Sequence, residues 1–219
     1  RDVERSRGLG DVYKRQVPYF SSESNTQPGM PKYADLNGDG IIDDNDRTMI
    51  GNGMPKHTGG FTNNFEYKGF DLSIFFQWSY GNDVLNANRL FFENSNKTRD
   101  LNQYASYADR WTPENPESNI PRATDSGSNK VFSTRIIEDG SFLRLKTVSL
   151  GYTLPKQLTK KWKIDNARVF VAGQNLWTCT GYSGYDPEVS IREGALTPGL
   201  DFSAYPRAYS ISFGINLGF

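Results

Sequence analysis

From Tyr209 to Phe219 the chain alternates without a break. Tyr209, Ile211, Phe213, Ile215, Leu217 and Phe219 fall on one parity; Ser210, Ser212, Gly214, Asn216 and Gly218 fall on the other. A period of two belongs to a strand, because successive side chains leave it on opposite faces. The segment Arg207 to Phe219 is therefore predicted as a β-strand with one wholly apolar face and one small or polar face. Soluble half-buried strands alternate in the same way but are usually near five or six residues. Eleven alternating residues match a tilted bilayer crossing.

A second pair of strands is predicted over 57–80. Phe61, Asn63, Phe65 and Tyr67 alternate with Thr62, Asn64, Glu66 and Lys68; after Gly69, Phe70, Leu72, Ile74, Phe76, Trp78 and Tyr80 alternate with Asp71, Ser73, Phe75, Gln77 and Ser79. Lys68-Gly69 between them reads as a tight hairpin. Tyr67 and Phe70 at one end, and Trp78 and Tyr80 at the other, have the placement of two aromatic girdles. Two strands are less regular. Phe142 to Leu154 alternates from Val148 onward, but Arg144 and Lys146 break its phase, so its first half either projects beyond the apolar layer or holds a bulge. Ala167 to Trp177 mixes both faces.

The connections alternate in length. The one at 68–69 is short, 81 to about 140 is very long, 155–166 is moderate, and 178 to about 206 is long. Outer-membrane barrels have short periplasmic turns and long extracellular loops. That asymmetry predicts a periplasmic 68–69 turn and a periplasmic C-terminus. In the long loop, Asp83 to Glu93 and Leu101 to Arg110 are predicted helical, with Pro113, Pro116 and Pro121 ending any continuation. About five strands cannot close a barrel, and an open edge is not viable in lipid, so the remaining wall is expected upstream. The chain has no initiating methionine, and no leader is visible. Residues 1–16, RDVERSRGLGDVYKRQ, have no apolar period and resemble translated adaptor sequence; they are set aside as non-native or linker sequence, leaving 17–219 as the barrel segment.

Composition narrows the classes. The 219 residues carry 25 basic and 25 acidic side chains, so no net charge favours nucleic acid, and no lysine-rich tail faces an anionic surface. No run approaches the ~20 apolar residues of a membrane helix. Aromatics at 14% fit interfacial girdles or equally a sugar-binding β-domain. One cysteine, Cys179, excludes an internal disulfide, and any imidazole-based metal site or triad would rest on His57 alone. The carboxylates Asp186 and Glu188 stand without a nucleophile–base pattern or a G-x-S-x-G turn, so no enzyme is expected.

The sharpest chemical motif is Asp35-Leu-Asn37-Gly-Asp39-Gly-Ile41-Ile-Asp43-Asp-Asn-Asp46. Oxygen side chains at positions 1, 3, 5, 9 and 12 with glycine at 6 reproduce the twelve-residue calcium-loop spacing, with the Ile41 carbonyl at position 7. Aspartate at position 12 reaches less far than the usual glutamate. The flanks are not helical, so the expectation is calcium held structurally by Asp35, Asn37, Asp39, Ile41, Asp43 and Asp46, outside any EF-hand.

In order along the chain, PKYADLNGDGIIDDNDR (31–47), RWTPENPESNIPR (110–122), IEDGSFLRLKTVSLGYTLP (137–155), QNLWTCTGYSGYDPEV (174–189) and YSISFGINLGF (209–219) resemble the C-terminal third of SusC/RagA-type TonB-linked outer-membrane proteins. The resemblance implies an all-β fold, with about five long antiparallel strands and long extracellular loops from a transmembrane 22-stranded β-barrel, open as a fragment. It further implies a TonB-energised plug upstream, a SusD-like surface lipoprotein acting as lid, outer-membrane lipid around the wall, and oligosaccharide or less often peptide cargo. Phe219 resembles the aromatic terminus read by the barrel-assembly machinery. Tyr182, Tyr185 and Asp186 fall on a long extracellular loop, where they would contact cargo or lid or stabilise the loop itself. The Trp177-Thr-Cys179-Thr stretch gives the cysteine no role. The competing reading is a secreted soluble calcium-binding β-sandwich that binds carbohydrate.

Overall fold

The computed structural model of the chain describes residues 19–20, 28–93, 102–124, 132–189 and 198–219; the reading of residues 1–16 lies outside them. The chain divides into two compact units. One holds residues 54–83, 139–189 and 205–219; the other holds residues 1–53, 84–138 and 190–204.

The first unit is a single antiparallel meander of five strands: β1 (His57–Tyr67), β2 (Phe70–Tyr80), β3 (Phe142–Thr153), β4 (Asn166–Thr180) and β5 (Ser210–Gly218). Each strand pairs with its sequence neighbour, and the sheet is open at β1 and β5. The turn between β1 and β2 has positive φ at both central residues, 48° at Lys68 and 86° at Gly69, the type I′ geometry that matches strand twist.

Cross-strand register places the apolar parities side by side. Tyr67, Phe70, Tyr152 and Val169 form one row; Phe65, Leu72, Leu150, Val171 and Phe213 form another. This face is left open: Phe213 is 82% exposed, and Phe65, Leu150 and Ile215 are exposed as well. The opposite face carries Thr62, Asn64, Ser73, Gln77, Thr147, Ser149, Gln174 and Ser212. Among the described residues the five strands form one sheet, and their own unit contains no second layer of strands to make a sandwich.

The irregular strands have a local cause. Phe75 pairs with Thr147 and Phe76 with Leu145, leaving Lys146 unpaired in a bulge. The extra residue inverts parity along β3. Leu143 and Leu145 thereby join the apolar face that Val148, Leu150 and Tyr152 occupy, and Arg144 turns to the polar side. β4 adjusts beside it, with Asn175 at φ 52° and the register passing from Gln174–Thr147 to Trp177–Leu145. This explains the mixed reading of β4, which runs longer than the predicted Ala167–Trp177. β5 starts later than Arg207, because Arg207 donates its backbone N–H to Asp186 Oδ2 (3.2 Å) and Ala208 accepts from Asn175 Nδ2 (3.1 Å) instead of continuing the ladder.

In the second unit the helix predicted over Asp83 to Glu93 is corrected. Asp83–Asn86 is a strand in parallel pairing with Leu200–Asp201, and only Ala87–Phe92 is helical. Leu85 and Asn86 find long-range partners at Leu200 and Asp201, and that tertiary pairing overrides local propensity. Likewise Ala105–Asp109 is a short 3₁₀ turn rather than a helix from Leu101, which lies outside the described residues. Val84, Leu90, Ile136 and Met30 supply the unit's buried apolar core.

Candidate functional site

The polar face of the meander carries a built ion pair. Arg168 Nε on β4 donates to Asp71 Oδ1 on β2 at 2.9 Å, and Arg168 Nη2 donates to Asp71 Oδ2. The pair passes over Gly151 of the intervening β3, where an added Cβ would stand 2.3 Å from Arg168 Nη2. On the same face Gly214 lies under the Phe170 ring, again with no room for a Cβ.

A second cluster joins β3 to the loop after β4. The Arg144 side chain is 3% exposed; its Nη2 donates to Asp186 Oδ1 (2.5 Å) and its Nη1 to Glu188 Oε2 (3.1 Å). Lys146 and Arg207 approach Glu188 at 3.5 and 3.2 Å. Asp186 Oδ1 also accepts from the Glu188 N–H at 2.9 Å. Burial pushes the Asp186 carboxyl upward, but the Arg144 hydrogen bond, the two backbone donors and the Arg144 charge outweigh it, so the group stays below the ordinary carboxylate range. The fork of Arg144 suits two carboxylates at once.

This geometry separates the three loop residues read from sequence. Asp186 is buried in the cluster. Tyr182 is 6% exposed and packs over Gly184, so it belongs to the loop's own interior. Tyr185 is 77% exposed and free to meet another molecule. The role of Arg144 and Arg207 was not read from sequence; the available signal was a phase-breaking arginine with two acids some forty positions on, but no local pattern fixes that contact.

In the other unit, the Asp-rich loop makes the backbone half of its motif. Asp35 Oδ1 accepts from Gly38 N–H (2.6 Å) and Oδ2 from Gly40 N–H (2.9 Å); Asn37 Oδ1 accepts from Asp39 (2.9 Å) and Asp39 Oδ1 from Ile41 (2.8 Å). Asp43 caps the turn through Asn45 N–H at 2.7 Å. Asp46 reaches back across the loop to Leu36 N–H (2.8 Å) and to Asp43 N–H (2.9 Å). Those hydrogen bonds, the one from Asp43 foremost, lower its pKa. The oxygens are thus ordered in sequence, yet among the described residues no set of three or more His, Cys, Asp or Glu side chains is gathered as a metal cage. Ile41 is exposed and Ile42 is the buried member of that pair.

The same unit contains a cleft of about 370 Å³ lined by Tyr33, Arg89, Trp111, Ile120 and Arg135 among others. Arg89 and Arg135 share the buried Glu93, at 3.2 and 2.5 Å, and Arg89 also meets Glu138 at 3.3 Å. Burial pushes the Tyr33 phenol up to about 12, against the Arg135 charge.

The two residues singled out for their rarity sit on the sheet. His57 Nδ1 accepts from Trp78 Nε1 (3.1 Å), and its ring stacks on Tyr80. Cys179 pairs in register with Leu143 on the apolar side. Phe219 is exposed just beyond β5.

No protein-family profile matches the chain. Among curated proteins, TonB-dependent receptor P3 of Formosa agariphila is 36% identical over 201 residues, covering 89% of this chain and 19% of that protein. TonB-dependent receptor P26 of the same organism is 39% identical over 197 residues, covering 87% and 20%. TonB-dependent receptor SusC of Bacteroides thetaiotaomicron is 28% identical over 198 residues, covering 90% and 18%. Among solved structures, the RagAB peptide importer in its closed-closed state superposes with a TM-score of 0.70 at 31% identity, covering 86% of this chain and 20% of that one. Its open-open state gives 0.65 at 34% identity, covering 76% and 17%. The chain spans about a fifth of the length of the curated relatives it matches.

Proposed function

The chain is a SusC/RagA-like segment of the TonB-dependent receptor family, and from that premise we propose that its five strands form part of an outer-membrane barrel wall through which a nutrient is imported without chemical change. The observation that carries this reading is the two-faced meander. Strands of 9 to 15 residues present one continuous exposed apolar face and one polar face, as a wall between lipid and an aqueous lumen requires.

Within the reading, the ends of β1, β3 and β5 that share the short connections face the periplasm, and the long connections face outward. The cargo is an oligosaccharide, energised through TonB and a plug carried by the rest of the receptor, with a SusD-like lipoprotein closing over the outer side. Of Tyr182, Tyr185 and Asp186, Tyr185 is the exposed one and the residue assigned to cargo or lid, with Asp186 holding that loop in place. Peptide is the second reading for cargo, favoured by the peptide importers among the solved structures. The loop Asp35–Asp46 takes calcium as a structural ion, through the side chains of Asp35, Asn37, Asp39, Asp43 and Asp46 and the Ile41 carbonyl, drawing their remaining lone pairs together on binding. Phe219 serves as the aromatic terminus offered to the barrel-assembly machinery.

The test is fractionation and uptake with the complete receptor. Recovery in carbonate-washed outer membrane, with a heat-modifiable folded band, is expected, as is loss of growth on oligosaccharide when the receptor is deleted. Free solubility without detergent would refute the barrel; deletion cells that grow normally on oligosaccharides but fail on peptides would move the cargo to the second reading.

A further inference from the structure

The connection between β3 and β4 is a compact turn of unusual chemistry. Residues 155–165 read PKQLTKKWKID, with four lysines, Lys156, Lys160, Lys161 and Lys163, against one acid, Asp165. In a chain whose charges balance overall at 25 and 25, this is a local concentration. The turn is ordered. Lys156–Thr159 makes one helical turn continued by Lys160–Trp162, Thr159 is buried beneath it, and Lys163 closes it at φ 56°. Ile164 N–H returns to the Thr159 carbonyl at 3.2 Å, and Asp165 N–H bonds Gly218 of β5 at 2.8 Å.

Two large apolar side chains on that turn face away from the protein. Leu158 is 54% exposed and Trp162 is 69% exposed. Four residues apart on a helical turn, they fall on one side of it. Among the described residues none of the four lysines is paired with a carboxylate. The turn also stands at the end of the sheet where Tyr67, Phe70 and Tyr152 form the rim of the apolar face, with Lys68 over the Tyr67 ring at 5.1 Å.

We propose that the Lys156–Lys163 turn is a docking surface for anionic phospholipid headgroups in the leaflet at that rim. Trp162 and Leu158 enter the interface between headgroup and acyl chain, and the lysines meet phosphate. The turn joins β3 to β4 at the rim where the apolar face of the wall ends, beside the Tyr152–Val169 pair, so the occupant proposed for it is the same bilayer. Clusters of four or more basic residues beside a membrane segment draw anionic lipid, each contributing through the surface field. Indole belongs at that depth. The inference rests on the barrel reading above.

The experiment uses the complete receptor in detergent, with phosphatidylglycerol and phosphatidylcholine added in equal amounts and retained lipid read by native mass spectrometry. Wild type is expected to prefer phosphatidylglycerol by about tenfold. Changing the four lysines to glutamine should bring the preference to parity, while changing them to arginine should keep it. Trp162→Ala should lower retention of both lipids. A glutamine variant that keeps its folded heat-modifiable band and its full preference overturns the inference, as does a wild type with no preference. A receptor that never gives the folded band fails the barrel reading instead and takes the inference with it.

Discussion

Arg168 reaches Asp71 two strands away by crossing directly over Gly151, so the ion pair and the bare glycine beneath it are one arrangement. Gly151→Ala inserts a methyl 2.5 Å from Asp71 Oδ1, on the strand between the partners. The expected loss is roughly 1–3 kcal/mol, the ordinary range for overpacking. Urea midpoints of the folded receptor measure it. In an Arg168→Met/Asp71→Leu background the same substitution should cost less, since the obstruction is gone; an unchanged cost would show that Gly151 matters for another reason.

Arg144 should behave differently from a surface arginine. It is buried between two carboxylates, and Arg144→Met would leave Asp186 and Glu188 without their principal cation. Breaking such a pair costs about 3–5 kcal/mol. The expected sign is early proteolytic cleavage within 181–189, ahead of global unfolding. Equal protease resistance in variant and wild type would exclude a latch.

That latch also has a pH dependence of fixed sign. The Asp186 carboxyl is held below its ordinary value in the folded chain. A depressed carboxylate contributes stability that is fully present above its unfolded pKa, about 3.9, and is lost as pH falls through the lower folded value. The 181–189 loop should therefore stay closed at neutral and mildly acidic pH and open only below about pH 3.9. Asp186→Asn should remove that acid step from hydrogen exchange of the loop; a step at pH 6 to 7 would contradict the assignment.

The two faces of β5 give a direct discrimination between lipid and water. Phe213→Arg places a cation on the apolar face, at a cost of about 2–4 kcal/mol if the residue lies near the bilayer midplane. Ser212→Arg places it on the polar face, opposite Ala172, with little expected effect. Folded yield in vesicles reads both. If Phe213→Arg is neutral, or only makes the protein more soluble, the exposed face does not meet lipid.

For the Asp-rich loop the expectation is saturable calcium binding between roughly 0.1 and 1 mM, the range of extracellular modules. Calorimetry on the folded receptor should show it, and Asp39→Asn with Asp43→Asn should abolish it. Absence of heat at millimolar calcium in wild type would leave an ordinary Asx-rich turn.

How much of this was legible follows from what each side chain has to satisfy. The strands were readable because every second residue meets one environment, and β5 obeys that constraint from Ser210 to Gly218. Asp83–Asn86 was misread because its partner, Leu200–Asp201, is more than a hundred residues away, and four residues carry too little periodicity to separate strand from helix. Arg144 announced itself only as a defect in phase; that Lys146 is the displaced residue, and that Asp186 and Glu188 receive Arg144, follow from pairing that no local pattern encodes. In the Asp-rich loop, spacing was readable but convergence of the oxygens was not, since that depends on backbone geometry and on any ion present.

The unpaired Lys146 acts on β3 as a compensating shift acts on a reading frame. On a wall with two different solvents, adding or removing one residue exchanges the sides for everything beyond it. Lys146 holds such a shift in place: downstream, even positions face apolar surroundings; upstream, odd ones do. Deleting Lys146 would take the bulge with it: Leu145 would run straight into Thr147 opposite Phe76 and Phe75, Leu143 and Leu145 would stay on the apolar side, and Arg144 would stay on the polar one. Within this segment length can change by pairs of residues, or by one residue together with the bulge, but not by one alone.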